Sequence, residues 1–359
     1  MNKKNWLEVC DSFRELFDIL AQSNLNHSIS KRFTNHELEK VNQVIISQKN
    51  YNGWFTEESI RQALSGLSIM LNPDDISKWI SNYSYNSKPK KILLIMAGNI
   101  PLVGFHDLIC VWLSGNYAQI KLSSDDQKLL PSILELITEI HPNIKSYFSI
   151  ETGKINQSEA VIATGSDNSN LYFEKYFGHL PTLLRKNRTS IGVIEGDESS
   201  DELVNLGKDI FQFYGKGCRN VSFLLIPDNF NLDILFEALL PYHEIIHHNK
   251  YGNNYEYNRA IHLLNRVEFL DNNFLMLKET DTLFSPISMV HFLRYTIKSD
   301  VDEFIEKNKS SIQIVVGRNY IPFGVAQNPT IWDYADGVDT MKWLNNLSYN
   351  GDVTENSFL

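Results

Sequence analysis

The chain has 359 residues, 43% hydrophobic and 21% charged, an ordinary globular balance that excludes a mainly disordered, collagen-like or disulfide-scaffold protein. Lysine plus arginine is 33 against 43 acidic residues, a formal net charge of -10, so a general electrostatic grip on nucleic acid or an anionic membrane is not expected. The length fits two domains with a large core.

The first residues, MNKKNWLEVCDSFRELFD, acquire acidic side chains too early for a signal peptide. Up to about residue 88 the chain reads as helical and polar-rich. Thr56 caps a predicted helix with Glu57 and Glu58 in its first turn, and Ile60, Ala63, Leu64, Leu67, Met70 and Leu71 share one face. Asn72-Pro73-Asp74-Asp75 opens another helix, and Ser84 to Lys90 reads as a linker. The run KKILLIMAG then predicts a buried strand, and VGFHDLICVWLSGN a helix ending at Gly115-Asn116. YAQIKL is a second strand, DQKLLPSILELITEI a helix, AVIATGS a strand, and DNSNLYFEKYFG a helix. TSIGVIEG is a strand, followed by SDELVNLGKDIFQFYG, a helix opened by Ser200 or Asp201. Beyond Gly215 the alternation continues with NVSFLLIP, NLDILFEALL, SMVHFLRY, DVDEFIEKNK and SIQIVVG. The fold class expected is α/β: two domains with largely parallel sheets, behind a helical N-terminal segment. The longest apolar runs, such as Ile92 to Ala97, fall far short of a membrane span.

Three cysteines, Cys10, Cys110 and Cys218, stand far apart. A sparse, odd count predicts a reducing, cytoplasmic setting rather than a disulfide framework. Cys10 and Cys110 sit among apolar helix positions and read as packing residues. Cys218 lies in Tyr214-Gly215-Lys216-Gly217-Cys218-Arg219-Asn220, between a predicted helix and a predicted strand. Two glycines permit tight backbone and close substrate approach, and Lys216 and Arg219 place positive charge near the sulfur, which favours thiolate. The competing reading is a small buried hydrophobe.

Three strand ends are candidates for ligand contact, because open α/β sheets bind ligands there. Ala97-Gly98-Asn99-Ile100-Pro101 offers the Asn99 amide to a developing oxyanion, or is a plain turn. Lys121, with Ser123 and Ser124 after it, suits a ribose or phosphate, or is a solvated strand-end lysine. Ala163-Thr164-Gly165-Ser166 offers amides at a helix start to a pyrophosphate, or is a turn with a cap. His243-Glu244-Ile245-Ile246-His247 matches the zinc-peptidase pattern HExxH, with Glu256 downstream as a third ligand for that reading. Pro241 upstream, the strand-prone Ile245-Ile246 and the Asn249 to Asn254 stretch weigh against it, and no metal is expected.

Taken in order, AGNIPLVGFHDLI, SGNYAQIKLSS, IATGSDNSNLYFEKYFG, LLRKNRTSIGVIEG, FYGKGCRNVS, NKYGNNYEYNRA and LFSPISM resemble the aldehyde dehydrogenase superfamily. The sequence is more closely similar to the LuxC-type fatty acyl-CoA reductases, which supply aldehyde to bacterial luciferase. The resemblance runs from about Lys90 to about Trp343. It implies an aldehyde dehydrogenase-like fold divided into 1–88, a helical segment packing on the core; 89–214, a dinucleotide-binding domain; 215–345, a catalytic thiol domain; and 346–359, a tail. It makes Cys218 the nucleophile and Asn99 the oxyanion asparagine, with Ile100 replacing the family's aromatic residue. Lys121 becomes the ribose contact, with Ser123 beside it, and Gly165 and Ser166 the phosphate contacts. Ser124 replaces the usual acidic residue three positions after the lysine, compatible with NADPH. Phe284 falls in the cofactor-contacting Glu-x-Phe-Gly-Pro segment, where Thr282 replaces the glutamate. Leu184 stands where hydrolytic members carry a water-activating glutamate. The implied reaction is NADPH-dependent reduction of a fatty acyl thioester to the aldehyde through an acyl-cysteine. The implied partners are coenzyme A or a carrier protein as acyl donor, an acyl-transferring enzyme, and further copies in a homo-oligomer. A zinc peptidase and a non-catalytic binding subunit of the same fold are the alternatives.

Overall fold

The computed structural model describes residues 1–347 except 24–29, 154, 156 and 166. The chain divides into two units, the first running from Met1 to Lys186 and resuming at Thr330, the second being Asn187–Pro329.

The first unit opens with α1 (Lys3–Leu20), started by a capping box in which Asn2 and Asn5 satisfy each other's backbone amides. Trp6, Val9, Phe13, Leu16, Phe17 and Leu20 recur at helical spacing and are fully buried. Then come α2 (Asn35–Ser47), α3 (Glu57–Met70) and α4 (Pro73–Ser81). Thr56 caps α3 as expected, accepting the Ser59 amide, and Asn72 caps α4 ahead of Pro73.

The sheet that follows is built from β1 (Lys91–Ile95), α5 (Phe105–Leu113), β2 (Tyr117–Lys121), α6 (Leu129–Ile140), β3 (Phe148–Ile150), β4 (Ala160–Thr164), α7 (Asp167–Phe177) and β5 (Thr182–Arg185). Its strand order is β3-β2-β1-β4-β5, parallel throughout. Such strands are covered on both faces, which is why β1 reads as a solid apolar run. Trp6 of α1 stacks on Trp112 of α5 with centroids 5.1 Å apart, so the N-terminal helices share one apolar core with the sheet.

The second unit contains β6 (Thr189–Val193), α8 (Ser200–Phe211), β7 (Val221–Pro227), α9 (Leu232–Leu239), α10 (Asn249–Leu264), β8 (Leu270–Asp271), β9 (Met276–Glu279), β10 (Met289–Tyr295), α11 (Lys298–Asn308) and β11 (Ile312–Val316). The order is β11-β6-β7-β10-β9-β8, parallel except for β8 against β9. Here the unit boundary differs from the expected 214/215. Strand β6 hydrogen-bonds to β7 on one side and β11 on the other, which carries β6 and α8 into the second sheet. Strand–helix alternation alone does not say which sheet a strand joins. The cap of α8 is Ser199, in a capping box with Glu202, one residue before the expected start.

The chain then returns to the first unit, ending in α12 (Thr340–Asn346); the expected second domain ran on to 345. Buried Arg185 holds this return: it donates to Asp107 Oδ1 at 2.7 Å, the Thr340 hydroxyl at 2.6 Å and the Ala335 carbonyl at 2.7 Å. Trp79 Nε1 donates to the Tyr334 hydroxyl, and the Tyr83 hydroxyl to Asp339. Most of the expected tail, 348–359, lies outside the described residues.

Candidate active site

The candidate residues fall in two groups, one on each unit. In the first unit the chain winds outward from β1 through β2 to β3, then crosses to β4 on the other side of β1. The strand ends that flank this reversal form the ligand-binding crevice of open α/β sheets. Asn99 follows β1, Lys121 ends β2, and Gly165 follows β4, so all three stand at one sheet edge. Lys121 pairs with Ile95, and its carbonyl accepts the Met96 amide at 2.9 Å. A Cβ on Gly98 would lie 2.8 Å from the Ser123 hydroxyl oxygen and 2.9 Å from the Asp125 Cβ; only glycine lets the Asn99 turn lie against Ser123. Ser123 is half-buried and Ser124 exposed. Ser166 lies outside the described residues.

Sequence reasoning missed the residue that fixes this turn. Buried Asp126 accepts the Leu102 amide at 3.3 Å, and Leu102 holds a left-handed φ of 57°. Burial pushes the Asp126 carboxyl up to about 6 against the lowering pull of the Leu102 and Leu129 amides. A carboxyl raised on folding binds more protons folded than unfolded between roughly pH 4 and 6, so its contribution to stability falls as pH rises through that window. Asp126→Asn should therefore gain stability relative to wild type, by on the order of 2 kcal/mol, as pH rises from 4 to 7. Urea titrations of both proteins across that range check it; a difference that stays flat with pH refutes it.

In the second unit Cys218 is exposed, whereas Cys10 and Cys110 are buried. Burial pushes the Cys10 thiol up to about 12 and Cys110 well up too, leaving both as packing groups. The loop carrying Cys218 is held at several points. Asn220 Nδ2 reaches the carbonyls of Asp209, Ile210 and Gln212 at 2.7 to 3.2 Å. Its Oδ1 accepts the Gly217 amide at 2.8 Å, and the Ser190 hydroxyl donates to the Cys218 carbonyl at 2.9 Å. Phe213, Tyr214 and Gly215 take successive left-handed φ values of 54°, 59° and 76°. This is costly for the two residues with side chains, and Tyr214 is braced by stacking on His248 at 4.0 Å.

Arg219, the residue after the thiol, is tethered. Its Nε donates to the Ala326 carbonyl. Asp209 accepts the Gly324 and Ala326 amides at 2.7 and 3.0 Å, so the strap Gly324–Ala326 is fastened to α8 and to the residue after the thiol. Asp209 carried a sequence signal: an acidic side chain on the buried face that also holds Leu203 and Leu206.

The stretch NKYGNNYEYNRA lies in α10 and fastens it to its neighbours. Tyr255 and Arg259 both bind the Asp271 carboxylate, at 2.6 and 2.8 Å, and Asn258 donates to the Ile287 carbonyl at 3.0 Å. This fastens α10 to β8 and to the Ser285–Val290 loop. That loop and Tyr214-Gly215 line one cavity of about 60 Å³. The structure thus brings the segment after Phe284, itself 41% exposed, to the stretch that leads into Cys218. Leu184 packs on the Leu93–Val161–Ala163 cluster.

His243, Glu244 and His247 lie on an exposed 3₁₀ turn, with both histidines facing the one carboxylate, at 2.9 and 3.7 Å. Among the described residues no group of three or more His, Cys, Asp or Glu side chains is placed to hold a metal. Nor is any helix among them long and apolar enough to cross a membrane.

A family model described as acyl-CoA reductase (LuxC) matches residues 8–240. The chain belongs to the LuxC acyl-CoA reductase family. As the family implies, it is an oxidoreductase of acyl or aldehyde substrates. Solved structures with the same fold include aldehyde dehydrogenase 21 from Physcomitrella patens, at TM-score 0.62 and 9% identity over 96% of this chain and 84% of that one. Aldehyde dehydrogenase KauB from Pseudomonas aeruginosa gives 0.60 and 12% over 87% and 71%. An aldehyde dehydrogenase from Mycobacterium tuberculosis, solved with NAD+, gives 0.59 and 11% over 83% and 70%. No curated protein matches the sequence. The aldehyde dehydrogenase-like fold expected for a LuxC-family chain is the one observed.

Proposed function

We propose that the chain reduces a fatty acyl thioester to the aldehyde, with NADPH as reductant and Cys218 as nucleophile. The observation that carries this reading is the exposed Cys218 thiol on a loop whose backbone is fastened by Asn220 and Ser190, in a chain of the acyl-CoA reductase family. The zinc-peptidase alternative gains no support from the paired histidines, nor does the non-catalytic one.

The residues at the first unit's sheet edge fit a dinucleotide. Lys121 offers a cation, Ser123 and Ser124 hydroxyls, and Gly98 removes the side chain that would fill the turn beside Ser123. Lys121 and Ser123 would hold the ribose and phosphate, and Gly165 and Ser166 the pyrophosphate. When bound, the reduced nicotinamide supplies a hydride to the acyl carbonyl carbon.

Cys218 does the covalent work. Its thiolate attacks the carbonyl carbon of the acyl thioester; the bond to the carrier sulfur breaks, and coenzyme A or a carrier thiol leaves with a proton. The Cys218 amide donates to the tetrahedral oxyanion, the task that the family resemblance also gives to Asn99. After reduction the thiohemiacetal collapses, releasing the aldehyde and returning the thiol. Leu184, where a hydrolytic relative has a base, leaves the acyl-cysteine without a water-activating carboxylate, so it lasts long enough to be reduced.

Mixing the protein with acyl-CoA in the absence of NADPH should give an acyl mass adduct confined to Cys218, and NADPH should then discharge it as aldehyde. An adduct elsewhere, or none, overturns the assignment. Ser124→Asp places a carboxylate where the 2′-phosphate is proposed to bind. Repulsion of about 1 kcal/mol or more should raise KM for NADPH about tenfold and leave that for NADH nearly unchanged. Equal effects on both cofactors would refute this placement. A reading as a subunit fed by an acyl-transferring enzyme, or as a homo-oligomer in the cytoplasm, is compatible with this chemistry and separate from it.

A further inference from the structure

We propose that Gln327 is a further catalytic hydrogen-bond donor at the thiol, its Nε2 meeting the carbonyl oxygen of the acyl group on Cys218. The inference rests on the reading of Cys218 as nucleophile and adds a residue to it.

Gln327 is only 9% exposed, and its Nε2 is buried with no hydrogen-bond partner among the described residues. A buried donor left in that state carries a desolvation cost, and native structures keep few such groups. The amide faces the thiol loop: a Cβ on Gly217, the residue before Cys218, would lie 3.6 Å from Gln327 Nε2 and 3.7 Å from its Oε1. Because position 217 is glycine, no side chain there covers the amide.

The placement is enforced from both ends of the strap. Asp209 accepts the Gly324 and Ala326 amides, and Arg219, the residue after the thiol, donates to the Ala326 carbonyl. Asn328 donates its amide to the Val325 carbonyl at 3.0 Å, turning the chain just past Gln327. Gln327 is thus tied through one residue to Arg219, and the donor and the nucleophile belong to one fastened substructure. Asn99, by contrast, belongs to the first unit. An amide N–H donates and does not take up a proton at neutral pH. Its use is therefore to steady negative charge on the carbonyl oxygen, which develops both when the thiolate attacks and when the acyl-cysteine is reduced.

Gln327→Met keeps size and burial but removes the donor; Gln327→Glu keeps the shape with an acceptor in its place. Two rates are read on the full-length protein: acylation of Cys218 by acyl-CoA, by rapid mixing and mass, and alkylation of Cys218 by iodoacetamide from neutral to alkaline pH. Alkylation develops no oxyanion. The expected result is acylation slowed about tenfold to hundredfold in both variants, with the alkylation rate and its pH profile unchanged in Gln327→Met, the variant in which the two rates are compared, and the profile moved to higher pH in Gln327→Glu, whose carboxylate disfavours a neighbouring thiolate. Acylation at the wild-type rate overturns the proposal. So does a matching fall in acylation and alkylation, which would make Gln327 a prop for the loop. Failure of the wild-type protein to acylate at Cys218 is a different result: it removes the nucleophile assignment itself, and this inference with it.

Discussion

Cys218→Ala is expected to take no acyl adduct from acyl-CoA and to lose reductase activity by roughly a thousandfold or more, since no other group can carry the acyl intermediate. Cys10→Ala and Cys110→Ala should still form the adduct, because both sulfurs are buried and burial pushes both thiols up. Thermal unfolding of Cys218→Ala should match wild type, since an exposed side chain contributes little packing. Acyl-CoA-dependent NADPH oxidation in Cys218→Ala within tenfold of wild type would end the covalent mechanism.

Arg185→Met should cost the protein about 3–5 kcal/mol, the usual penalty for stranding one member of a buried ion pair. Arg185 is 2% exposed, and its partner Asp107 is 9% exposed; without the guanidinium the carboxylate stays buried and uncompensated. The Ala335 carbonyl and the Thr340 hydroxyl lose their donor at the same time. A second substitution, Asp107→Leu, should recover part of the loss, because an apolar pair can replace a buried ionic one. Urea unfolding of the single and double variants reads both effects. A loss below about 1 kcal/mol in Arg185→Met would show that the return segment does not depend on this pair.

The parts of this architecture that were legible in the sequence are those written in contiguous residues. Strands β1, β4 and β7 are short solid apolar runs because parallel strands are buried on both faces. Thr56 announces α3 because a cap and its helix are neighbours in sequence. Asn99, Lys121 and Gly165 could be placed at the carboxyl ends of β1, β2 and β4 because each ends or follows a strand legible in the sequence. Strands β3 and β8, of three and two residues, are too short to show a period. The membership of β6 in the second sheet rests on pairing with β7 and, more than a hundred residues later, with β11, and no local pattern says that β6 joins these rather than β5. The clasp residues were hidden for the same reason. Asp126 is the first residue of the helix predicted over DQKLLPSILELITEI, where nothing local marks its carboxyl as buried, and Gln327 becomes notable only once its amide is found buried beside Gly217. Lys216 and Arg219 read in the sequence as positive charge near the thiol; that Arg219 Nε also holds the strap is visible only in the structure.

The second unit is inserted within the first: residues 187–329 intervene before Thr330 brings the chain back. On the ribosome this imposes a waiting period. At about 5–20 residues per second, roughly ten to thirty seconds of translation separate the emergence of Arg185 from that of Thr340, its acceptor. During that interval the N-terminal helices and five-stranded sheet have an open seam where Arg185 and Asp107 lie. The inserted unit, whose strands pair only with one another, is able to complete its sheet first. The segment made after the insertion is then the one that seals the unit begun before it.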